Sequence, residues 1–352
     1  MRLRLRVTLS ALIASTVLAL WPARSAEAQL FVSDVGSNSI KEFSAANGSP
    51  LGHDALGVFA SGGGLSVPFG LAFGPDNNLY VSSLGTGEIL RYNGTSGVFI
   101  DKYVTKGSGG MNYPNEIAFG PDNNLYVASY AAGGHGSILE YQGPTGGSPG
   151  SFIKTFASNP GLQGPTGMQF NPFDGNLYVS SSTNNAIYAF DGTTGALLNG
   201  GPLISGAVSG LNGPAGLSFG PDGNLYVANF FPTTVGGKTS IVRYDLGSVP
   251  SHSDFTGSID LNGPVVPVFN TDLKLYVSSY RNNSIYRFNA LTGAFDSVFV
   301  GANFLSNPSY ITFAPAAGGT GNLTVVPEPT SVALLSLGLA GIVGWSRFRR
   351  KR

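Results

Sequence analysis

The fourteen residues Pro214-Ala215-Gly216-Leu217-Ser218-Phe219-Gly220-Pro221-Asp222-Gly223-Asn224-Leu225-Tyr226-Val227 decide the fold, because they recur. The closing phrase Leu-Tyr-Val stands also at Leu79, Leu125, Leu177 and Leu275, with Leu30-Phe31-Val32 as a sixth copy, and successive copies start 49, 46, 52, 48 and 50 residues apart. A fixed long period marks a repeat architecture in which each unit is one small supersecondary element. The copy around Pro68 to Tyr92 gives the unit's contents. Gly70 to Phe73 reads as a first strand. Gly74-Pro75-Asp76-Asn77 is a turn, with Pro where φ must be near −65° and Asn where a left-handed residue is tolerated. Asn78 to Ser82, Ile89 to Tyr92 and Val98 to Val104 then read as strands two to four, with Asn93-Gly94 as the turn after the third.

Strand two is a continuous apolar run, as expected where neighbouring sheets cover both faces of a small sheet. A four-stranded unit of this length repeated six times predicts radial stacking, which leaves few exposed edges. The first copy lacks a first strand, whereas Pro308-Ser309-Tyr310-Ile311-Thr312-Phe313-Ala314-Pro315 repeats the first-strand pattern with no second strand after it. The far end therefore completes the first unit and closes the ring. The expected class is all-β: a six-bladed β-propeller of four-stranded antiparallel blades over residues 29–322.

Both ends read as addresses. Residues 1–28 have an Arg-rich start, an apolar run from Val7 to Trp21 and a small-residue close at Ala26-Glu27-Ala28, the grammar of a signal peptide cleaved between Ala28 and Gln29. In residues 323–352, Pro327-Glu328-Pro329 precedes a mostly apolar stretch from Ser331 to Ser346, then Arg347-Phe348-Arg349-Arg350-Lys351-Arg352. As a helix at about 1.5 Å per residue this stretch is shorter than the roughly 30 Å hydrocarbon core, and its basic end would stay on the cytoplasmic side. The order of parts resembles the PEP-CTERM sorting tail. That resemblance implies a transmembrane sorting helix, recognition and cutting by an exosortase-type enzyme, and a Gram-negative envelope, surface or extracellular destination. An ordinary membrane anchor is the alternative.

The two ends hold nine of the 19 basic residues and two of the 19 acidic ones, so the middle keeps ten against 17 and a net charge of −7. Bulk charge thus disfavours nucleic acid and anionic membrane surfaces as partners. The absence of cysteine rules out disulfides and thiolate metal sites, so an exported fold must rest on its core.

The repeat resembles NHL-type and gluconolactonase-like six-bladed propellers, a likeness that implies architecture more than activity. In such a ring, loops leading into strand one and leaving strand two share a face. That face would carry the candidate ligand-binding residues Tyr113, Asn115, Tyr130, Phe230, Tyr280, Arg281 and Tyr310, with His135 beside them. The gluconolactonase-like group implies a divalent metal such as calcium, held by carboxylate and Asn ligands. Glu116, the only acid among the first-strand starts, is the candidate here, with Asp34 and Asn229. His53, His135 and His252 have no second His at ligand spacing, the recurrent Ser82-Ser83 and Ser180-Ser181-Ser182 read as packing residues, and Asp76, Asp122 and Asp222 read as turn formers. The expectation favours a non-enzymatic binding or scaffolding propeller for exopolysaccharide or envelope proteins, without a cofactor; the alternative is a metal-dependent lactonase or related hydrolase.

Overall fold

The computed structural model describes residues 28–130, 135–205, 210–231, 239–247, 251–257 and 259–315. The expected signal peptide, apart from Ala28, and the whole sorting tail with Pro327, Glu328 and Pro329 lie outside them. Six antiparallel sheets are present, and the first strand of each touches the first strands of the blades before and after it, which closes the ring. Blade 2 shows the unit: Pro68–Phe73, Leu79–Ser83, Glu88–Tyr92 and Phe99–Val104, hydrogen-bonded in chain order. Its turn is as expected, with Asn77 at φ 59°.

Blade 1 is built from both ends of the described chain. Gln29–Asp34 pairs with Ser39–Ser44 on one side and with Pro308–Phe313 on the other, in the register Leu30–Phe313, Phe31–Thr312 and Val32–Ile311. The closure legible in the sequence is thus a β-ladder. Blade 4 departs from the four-stranded expectation: among the described residues its strands are Pro165–Phe170, Leu177–Ser181 and Ala186–Phe190. Two isolated bridges, Phe190–Leu197 and Ile187–Ile204, replace the fourth. The reason is local: between them Asn199 at φ 59° and Gly200 at φ 68° turn the chain out of extended conformation.

The repeated phrase is the joint between blades. Its aromatic ring meets, edge to face, the Phe that ends the next blade's first strand: Phe31–Phe73, Tyr80–Phe119, Tyr126–Phe170, Tyr178–Phe219, Tyr226–Phe269 and Tyr276–Phe313, at centroid distances of 4.8–5.1 Å. Each such pair contributes about 0.5–1.5 kcal/mol beyond its buried area. Where the ring is tyrosine, its hydroxyl donates to the turn aspartate four residues earlier, Asp76, Asp122, Asp174, Asp222 or Asp272, at 2.7–3.1 Å. These aspartates therefore shape the turn and also satisfy a phenol. Serines add a second joint: Ser82 Oγ accepts from Gly70 N and donates to Asn115 O of the next blade, as Ser180 Oγ does between Gly167 N and Ala215 O.

Candidate functional site

Pairs such as Pro68–Ser83, Pro214–Asn229 and Pro308–Asp34 put the start of each first strand beside the end of the second, so the loops there share one face of the ring. Asp34 and Asn229 lie on this face and are bonded within their own blades. Asp34 accepts from Ser306 N, and Asn229 Oδ1 from Asn212 N. Ser83, Ser129, Ser181 and Ser279 hold the equivalent N–H groups of Ser66, Asn112, Gln163 and Asn262, so one latch recurs six times at 2.6–3.0 Å. Burial raises the Asp34 carboxyl above its usual range, against hydrogen bonds from Ser37 and Ser306 and the charge of Lys41.

Glu116 lies deeper, in the channel. At its position in blades 2, 4 and 5 stand Gly70, Gly167 and Gly216, where an added Cβ would come within 2.4–2.6 Å of the next blade's backbone oxygen. Blades 1, 3 and 6 instead carry Tyr310, Glu116 and Val266 there, and these side chains fill the channel. Tyr310 is buried, and its hydroxyl crosses from blade 1 to donate to Thr166 O of the opposite blade, blade 4, at 2.7 Å. Glu116 accepts a short hydrogen bond from Met168 N. Glu116 is half-buried on the wall of the channel, and burial drives its carboxyl well above the usual carboxylate range. The Met168 N–H opposes that rise. A phenol proton turned towards Glu116 would oppose it too, but Tyr310 has one proton and Thr166 O takes it. Towards Glu116 the phenol oxygen is then an acceptor, which suits a protonated carboxyl.

Glu116, Asp34 and Asn229 are thus held in separate bonding environments, and among the described residues no group of three His, Asp or Glu side chains is placed to hold a metal. The histidines are also separate: His53 Nε2 contacts Ser96 O, His135 Nδ1 contacts Pro160 O, and His252 lies against Tyr244.

The face residues divide into groups. Asn115 donates to Pro165 O across a blade boundary, and Tyr130 N donates to the carbonyl of the half-exposed Tyr113. Phe230, Tyr280 and Arg281 do come together at the boundary of blades 5 and 6. The Arg281 guanidinium lies 4.9 Å from the Phe230 ring and 5.7 Å from Phe231, with Tyr280 6.0 Å from Phe230. Phe231, 47% exposed, is the member that sequence reasoning missed; the adjacent Phe230-Phe231 pair was its signal.

A cavity of about 230 Å³ begins at the Glu116–Tyr310 layer and runs along the later halves of the first strands, away from this face. Gln169 and Ser218, which line it, were not anticipated, since a lone Gln and a lone Ser in strands carry no motif.

Residues 325–350 match the PEP-CTERM protein-sorting motif. No curated protein matches the chain in sequence. A chain of the nidogen/laminin complex is similar in structure at 16% identity and TM-score 0.58, over 82% of this chain and 99% of that one. A virginiamycin B lyase from Staphylococcus aureus follows at 15% and 0.51, over 82% and 89%. A gluconolactonase from Xanthomonas campestris stands at 16% and 0.51, over 66% and 76%. At these identities the likeness is one of fold. The sorting motif marks an exported, sorted envelope or surface protein and implies processing by an exosortase-type enzyme.

Proposed function

We propose that the protein is a binding propeller of the cell envelope which holds an extracellular glycan, the exopolysaccharide of its own cell surface, on the face formed by the loops into strand one and out of strand two. The observation that carries this reading is the cluster of Phe230, Phe231, Tyr280 and Arg281, in which the exposed Phe231 and Arg281 stand over the half-buried Phe230 and Tyr280. Aromatic faces stack on the apolar faces of sugar rings, and the arginine adds fixed donors for hydroxyl or carboxylate groups. The sorting motif, which marks an exported envelope or surface protein, supports the same reading. A metal-dependent lactonase would need several ligands converging in the channel. There Glu116 is the one acid on the cavity lining, and Tyr310 spans the channel to Thr166 O between it and the face.

The test is binding of the purified full chain to exopolysaccharide from the producing cells, measured by co-sedimentation and calorimetry. Phe231→Ala and Arg281→Ala should each weaken binding about tenfold, close to 1.4 kcal/mol, with melting unchanged. Undiminished binding by both variants would refute the face as the site.

A further inference from the structure

The channel cavity is chemically lopsided. Glu116 is the only acid on its lining, and no Lys, Arg or His among the described residues lines it to balance a negative charge. Ser218, 8% exposed, also lines the cavity, and its Oγ is buried with no hydrogen-bond partner. Five rings from the ends of the first strands, Phe73, Phe119, Phe170, Phe219 and Phe269, border the same space.

Each property narrows the guest. A carboxyl with no protein cation beside it repels anions and is costly to ionise alone, whereas an incoming cation pairs with it at low dielectric. Aromatic walls favour a cation with an apolar body. One carboxylate falls short of the roughly six to eight oxygens of a calcium site, which argues against a bare divalent ion. The 230 Å³ volume is well above the ~30 Å³ share of one water yet below the roughly 300–1,000 Å³ of drug-sized pockets, so the guest has few heavy atoms.

We propose that the channel cavity binds a small monovalent organic ammonium, with Glu116 as its counter-ion and the phenylalanines around its apolar body. Tyr310 blocks the channel on the glycan-binding side, so the guest enters from the end where the strand one to strand two turns lie. This site is separate from the Phe230–Arg281 cluster, and the failure of either reading leaves the other standing.

Calorimetric titration of the full chain at neutral pH with cyclohexylammonium chloride, and with cyclohexanol as the neutral counterpart, tests it. Saturable binding of the ammonium is expected, weaker by about tenfold or more for the alcohol and for Glu116→Gln, a loss of ~1.4 kcal/mol or more. The Gln variant keeps an acceptor for Met168 N–H, so its fold should hold. Ala72→Leu, which builds into the cavity, should abolish binding while leaving the melting transition in place. Absence of saturable binding to the folded wild type, equal affinity for the alcohol, or undiminished affinity in Glu116→Gln or in folded Ala72→Leu would overturn the proposal.

Discussion

At the scale of single residues, enclosure governs how Glu116 behaves with pH. Its folded carboxyl titrates above the unfolded value of about 4.3, so between those two points the native state holds a proton that the unfolded chain has lost. Stability from this group is therefore full at acid pH and declines as pH rises towards the folded pKa. Glu116→Gln, which keeps the shape and the Met168 bond, should melt at least about 2 °C higher than wild type above neutrality, with the gap closing towards pH ~4. Calorimetric melting across that range checks it; a gap that is constant with pH would contradict the assignment. Glu116 stood out in the sequence as an acid where three other blades place glycine, whereas the role of Tyr310 did not. Its partner Thr166 lies 144 residues away on the opposite blade, and no local pattern signals a contact across an axis. Asp34 and Asn229 were legible only by alignment with Ser83, Ser129, Ser181 and Ser279, which shows a latch position; read alone, an acid and an amide near the axis look like ligands.

Between elements, spacing decides which residues are permitted. First strands approach so closely that Gly167 faces Ala215 O and Gly216 Cα, where an added Cβ would stand at 2.4 and 2.7 Å. These are backbone atoms of a neighbouring strand, which cannot swing aside as a side chain can. Gly167→Val should cost about 1–3 kcal/mol in chemical denaturation. Gly147→Ala, where nothing stands within 4 Å of the added Cβ, should stay within about 0.5 kcal/mol of wild type. Strand positions and turns were readable because each is set by neighbours in sequence: the Pro-Asp turn, the apolar second strand, the Asn-Gly step. The break in the fourth strand of blade 4 carries the same kind of signal, Asn199-Gly200 before Gly201-Pro202, but it sits inside a segment, Leu197 to Ile204, whose apolar ends match its counterparts.

For the whole molecule, the ring is only as strong as the ladder that shuts it. Deleting residues 308–315 removes the Leu30–Phe313 pairing, the Tyr276–Phe313 joint and Tyr310 together, and should replace one cooperative melting transition with a broad, low-temperature one. A sharp transition at the wild-type temperature would show that the ring does not depend on its closure. The same ladder has a mechanical side. Eleven residues separate Phe313 from Val325, where the sorting motif begins, and even fully extended they reach only about 40 Å. While the tail is held, a pull on it is delivered to the strand that closes the ring, through the Ala314 N–Gln29 O bond and then the Leu30–Phe313 pair. If an exosortase-type enzyme cuts the tail, the load on that clasp ends with the cut.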